Sequence, residues 1–148
     1  MQEILCANKS IGSYILRFAM ASKYSHSVVY DPELEIITHT TLLGGGVKEL
    51  SKAEFDKHYP MQSTPKDMNI PVEKQQEARD WLYAQVGKKY DWTALCSIAL
   101  QCFTSRSWQE EDSWFCSELT EALRTKLGIP RFAVGAGWIT PKHQYMVL

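Results

Sequence analysis

Cys116, in the run Ser113-Trp114-Phe115-Cys116-Ser117-Glu118-Leu119, is the side chain whose type and setting bear most directly on chemistry. An aromatic pair there gives way to an amphipathic helical pattern, which places the thiol in a first helical turn. Unpaired N–H groups and the helix dipole favour an anion at that position. The expectation is a thiolate that forms more readily than from a free thiol, and the thiolate is the nucleophile. A cysteine hydrolase also needs an imidazole to take the proton and a polar group to orient that imidazole. His26 follows the polar stretch Lys23-Tyr24-Ser25 and precedes a strand, so its ring can project from a sheet end. His39 lies near the end of the next strand, and a turn at Asp31 to Glu33 would lay the two segments side by side. His39 is therefore expected to hold the ring of His26 through a hydrogen bond. His58 and His143 have no comparable setting and read as surface residues.

The elements that must position these groups follow from pattern. Ile4 to Ala7 reads as a short strand, and Ser10 or Asn8 can cap a helix from Ile11 to Met20 with Tyr14, Ile15, Phe18 and Ala19 on one face. Ser27 to Tyr30 and Glu35 to Thr41 read as a hairpin rich in β-branched residues, with Val47 to Leu50 returning as a third strand. Gly44-Gly45-Gly46 breaks the run between them, as an ordinary flexible loop or as a flap over the site. Residues 51–69 read as loop with a short helical piece near Phe55, and Met68 to Val72 as one more strand. A helix opens at Pro71 or Val72, repeats Ala78, Trp81, Leu82 and Val86, and stops at Gly87. A further helix is expected from Trp92 to Cys102, then a polar loop from Thr104 to Asp112. The Cys116 helix has Leu119, Ala122, Leu123 and Leu127 on its apolar face and ends at Gly128 and Pro130. The tail from Phe132 reads as short extended pieces. Segregated strands and helices make this an α+β chain, with a small antiparallel sheet packed against helices.

At 148 residues the chain fits one domain, large enough for a core without disulfides or metal. A net charge of −1 and no basic run argue against a nucleic-acid partner. No apolar stretch approaches the ~20 residues of a spanning helix, and no secretory signal is visible, so the default expectation is a cytoplasmic protein. Cys6, Cys96, Cys102 and Cys116 form no CxxC pair, so neither a zinc site nor a disulfide framework is expected. Cys96 and Cys102 read as small buried hydrophobes. No cofactor is called for.

Three segments carry a resemblance. Tyr24-Ser25-His26-Ser27-Val28-Val29-Tyr30, Gly87-Lys88-Lys89-Tyr90-Asp91 and Trp114-Phe115-Cys116-Ser117-Glu118-Leu119 stand in this order over roughly residues 10–128. The chain resembles the permuted papain-like amidases, the YiiX-like branch of the NlpC-type superfamily, related to the lecithin–retinol acyltransferase-like proteins. The resemblance implies a circularly permuted papain-like fold with Cys116 at a helix N-terminus as nucleophile and His26 as base, then acid. The third position often holds Glu in that family and His in relatives; here it is Thr38-His39-Thr40, so His39 is the residue carried over. Tyr90, Ser25 and Ser117 are the candidate substrate-binding residues, Tyr90 being equally readable as an aromatic packed beneath the Cys116 helix. Asp91 can cap a helix beginning near Trp92. The function implied is cleavage of an amide bond, a cell-wall peptide being the natural substrate, through an acyl-enzyme. Two other readings stand beside it: acyl transfer or ester hydrolysis on lipids, for which Ile11 to Met20 could face a membrane, and a papain-like binding or assembly module. The oligomeric state is not legible.

Overall fold

The computed structural model describes residues 1–41, 45–91, 113–133 and 139–147. Five strands form the main sheet in the order β4-β3-β2-β1-β5, all antiparallel, with β6 beside β5 along the outer edge of β1. Here β1 is Gln2–Ala7, β2 His26–Asp31, β3 Ile36–Thr41, β4 Gly46–Ser51, β5 Met61–Gln62 and β6 Lys66–Asp67. Helix α1 (Ile11–Ala19) joins β1 to β2, and α2 (Lys52–His58) follows β4. A 3-10 turn at Val72–Lys74 leads into α3 (Gln75–Gln85), α4 is Cys116–Lys126 and α5 is Pro141–Val147. The α+β class and the helix-packed antiparallel sheet are as the sequence pattern implies.

Alternation along the strands sends successive side chains to opposite faces. Val29 joins Met1, Met68, Ala78, Leu82, Leu123 and Leu127 beneath α3 and α4. Val28 and Tyr30 join Ile4, Cys6, Ile37 and Phe55 beneath α2. Both faces are covered, which explains why every residue of β2 is buried.

The helix ends follow capping chemistry. Ser10 accepts from the Ser13 N–H, and Asn8 Oδ1 in turn accepts from the Ser10 amide and hydroxyl, so the two candidate caps act together. Ser51 caps α2 in the same way. The strand expected at Met68 to Val72 is absent. Asn69 sits at φ +54, with its amide bonded to Asp67 Oδ1, and Pro71 follows, so the extended run ends at Asp67. The tail was expected to be extended, yet Pro141–Val147 is helical, because Pro is tolerated in a first helical turn. Helix α3 stops at Gln85, leaving Val86 extended. The expected helix at Trp92 to Cys102, the loop at Thr104 to Asp112, and Cys96 and Cys102 lie outside the described residues.

A second, parallel pair was not anticipated: β7 (Lys89–Tyr90) and β8 (Ser113–Trp114). Gly46 ties β4 to the stretch just before it. Its φ is +113, and a Cβ there would lie 1.7 Å from the Lys88 carbonyl oxygen, so only glycine fits. The Val47 N–H donates to that same oxygen and the Gly87 N–H to the Val47 carbonyl. Of the glycine run, at least Gly46 is thus a packing residue in a strand, not part of a flap.

Candidate active site

Cys116 opens α4 directly after β8, and Tyr90 stands beside Trp114 on β7. The short parallel pair therefore fixes Tyr90 against the Cys116 helix. Tyr90, Phe115, Cys116 and Met20 pack as one cluster with Leu16 of α1 against it. Tyr90 packs edge-on against Phe115 and also lines the cavity into which Cys116 opens.

That cavity, about 180 Å³, is also lined by His26, Ser25 and Tyr59, with Gly12, Ser13 and Leu16 of α1 forming one wall. It is room for roughly six waters. No Lys, Arg, Asp or Glu side chain lines it among the described residues. The Ser25 hydroxyl shares a 2.7 Å hydrogen bond with Ser13, which pins α1 to the start of β2. Ser117 departs from expectation. Its side chain is fully buried, its hydroxyl donates to the Ile139 carbonyl, and it does not line the cavity. Only the Ser117 backbone N–H points at the thiol.

His26 and His39 meet as the hairpin pattern implies. Val29 pairs with Thr38 and Tyr30 with Ile37, and that register carried on makes His39 the diagonal neighbour of His26 on one face. His26 Nε2 lies 3.2 Å from His39 Nδ1. Tyr59 stacks on the His26 ring at 5.3 Å between centroids, and Phe55 stacks on Tyr59 at 4.4 Å. Tyr59 was missed in the sequence because residues 51–69 read as loop. The available signal was its spacing of four from Phe55, which puts both aromatics on one side of α2.

The hydrogen bond decides proton placement. With Nε2 engaged by His39, Nδ1 is the remaining His26 ring nitrogen. For Nδ1 to accept a proton, Nε2 must carry one and donate it to His39 Nδ1. The proton of His39 then sits on its Nε2, which is buried and has no hydrogen-bond partner among the described residues. A buried donor left unmade costs about 1–3 kcal/mol.

Electrostatics keep all three groups uncharged. Burial, reinforced by His39, holds His26 well below the usual imidazole value. Burial, with the charges of Lys48 and His58, lowers His39 to about 4. Burial also pushes the Cys116 thiol up to about 12, although the Ser27, Ser117 and Cys116 backbone N–H groups pull the other way. The expectation of an easily formed thiolate is therefore corrected. The helix-end donors are present, but removing the thiol from water outweighs them. Thiol and imidazoles are thus all held toward their neutral forms.

His58 and His143 are exposed, as the sequence implied. Asp91 is buried, but the helix it was expected to cap lies outside the described residues. Among the described residues no helix is long and apolar enough to cross a membrane. No protein-family model matches this chain, and no curated protein matches it.

Proposed function

We propose that this chain is a cysteine hydrolase of the circularly permuted papain-like type, in a single domain, cleaving an amide bond through an acyl-enzyme. The observation that carries the reading is the opening of Cys116 and His26 onto one uncharged cavity, with His26 hydrogen-bonded from behind by His39. Because thiol and imidazole are both neutral at rest, proton transfer accompanies attack instead of preceding it. Cys116 Sγ bonds to the substrate carbonyl carbon as its proton passes to His26 Nδ1. The backbone N–H of Cys116, at the start of α4, faces the developing oxyanion. His26 then protonates the leaving amine, and water, deprotonated by His26, releases the acid and restores the thiol. His39 acts through His26 as a positioning residue. Having no charge to offer, it favours the neutral form of His26 more than a carboxylate would.

The reading is tested by incubating the purified chain with muropeptides, ubiquitin-like C-terminal peptides and lipid esters, then identifying products by mass spectrometry. Cleavage of an amide substrate that disappears in Cys116→Ala is the expected result. Turnover of lipid esters alone would replace the amidase reading with an acyltransferase or esterase. Turnover undiminished in Cys116→Ala would remove the thiol from the reaction.

A further inference from the structure

Helix α1 is turned inside out. Its buried residue is Ser13, hydrogen-bonded to Ser25, and Leu16 faces the cluster around Cys116. The outward stripe is apolar: Phe18 is 89% exposed, Ile11 80%, Ile15 61% and Tyr14 56%. At 100° per residue these four fall within one arc of about 100°. Ordinary surface helices put that stripe on the core, and contiguous exposed apolar patches mark contact surfaces.

Charge in the stretch of chain that carries the stripe has one sign. From Ile4 to Tyr30 the chain contains Lys9, Arg17 and Lys23 and no Asp or Glu. Among the described residues none of the three has an ion-pair partner, whereas Arg79, Arg124 and Arg131 are all paired with carboxylates. Arg17 lies along the edge of the stripe, its guanidinium 4.5 Å from the centre of the Tyr14 ring. An apolar face edged by unneutralised cations complements a surface that is apolar within and anionic at its boundary.

We infer that the outward face of α1 docks the protein on anionic lipid membranes, with Phe18, Ile15 and Ile11 entering the acyl region and Lys9, Arg17 and Lys23 among the headgroups. The opposite side of the same helix is a wall of the cavity, so docking sets the cavity mouth close to the lipid surface. This inference is independent of the thiol chemistry and stands or falls by binding alone.

The test is sedimentation of the full chain with vesicles of phosphatidylcholine, alone or with about 30 mol% phosphatidylserine. Binding at least about tenfold tighter to the mixed vesicles is expected, with a comparable loss in Ile15→Glu/Phe18→Glu and a smaller loss in Arg17→Glu. The melting temperature of each variant decides whether the face is free. It should be unchanged; a drop of several degrees would mean that the chain's own residues cover the stripe and would overturn the inference. Equal binding to both vesicles, no binding to either, or a solution dimer that Phe18→Glu dissociates without any vesicle binding would overturn it as well.

Discussion

Two buried polar clusters sit on opposite faces of the same sheet, and they are built on opposite rules. Beneath α4, Glu3 is fully buried yet lies 3.0 Å from Arg131 and 3.5 Å from Arg124, and Arg131 also pairs with Glu121. Gln144 donates to Glu121, and Arg124 donates to the Met68 carbonyl. Every charge there has an opposite neighbour. Beneath α2, His26 and His39 are also buried but, among the described residues, have no carboxylate partner; burial holds both toward the neutral form. The first arrangement holds strand, helix and tail together. The second keeps two imidazoles uncharged at the wall of a cavity onto which a thiol also opens, the kind of perturbation that clusters at functional sites.

The sharpest way to separate the two is to remove one member from each. Cys116→Ala and His26→Ala should each lower turnover by about a thousandfold or more, with little change in the melting temperature of Cys116→Ala. Glu3→Leu should do the reverse. It leaves two guanidinium groups without their shared carboxylate and costs about 3–5 kcal/mol in denaturant unfolding, while activity per folded molecule persists. Loss of activity without loss of stability in Glu3→Leu would merge the clusters into one.

A smaller effect is expected at His39. Replacement by Asn should lower kcat by about ten- to a hundredfold, read against an unchanged KM. His39→Asp should raise the pKa of His26 and move the acid limb of the rate profile to higher pH, whereas the wild-type limb lies below 6.5 because both rings resist protonation. A limb that does not move would mean that His39 packs against His26 without tuning it.

Stability should carry the same signature. The unfolded chain takes up histidine protons near pH 6.5, while folded His39 resists them down to about 4 and His26 is lowered in the same direction. Their contribution is therefore complete above 6.5 and is lost as pH falls toward 4. For His39 that is about 3 kcal/mol, at about 1.4 per pH unit. Between pH 7.5 and pH 5 urea unfolding should register about 2 kcal/mol of the His39 loss, and the difference should shrink in His39→Asn. The smallest effect is on alkylation: iodoacetamide should modify native Cys116 slowly at pH 7 and faster as pH rises toward 12.

The hairpin bearing both histidines was legible because strand periodicity and the turn at Asp31 to Glu33 are local, and the diagonal contact follows from register. The place of Cys116 in a first helical turn was legible from the aromatic pair giving way to the amphipathic pattern. The ionisation of Cys116 was not, since burial depends on what packs over the thiol, and that is set by α1, β2 and β7 together. Ser117 was misplaced for a related reason: one residue along a first helical turn rotates the side chain by 100°, from cavity to core. The β7–β8 pair went unseen because two-residue strands leave no periodic trace, and Tyr59 because its one signal, the spacing of four from Phe55, fell in a stretch that read as loop. The apolar stripe of α1 was visible as a pattern, but its direction was not, because amphipathicity tells which residues share a face and not which way that face points.

The central claim is that Cys116 forms a covalent acyl intermediate with His26 as its base. The most direct measurement is intact-protein and peptide mass spectrometry after brief reaction with an activated acyl ester at pH 7. The account predicts a single acyl group on Cys116 in the wild-type chain, absent in Cys116→Ala and strongly reduced in His26→Ala. Acylation of another residue, or acylation of Cys116 that proceeds equally well without His26, would contradict it.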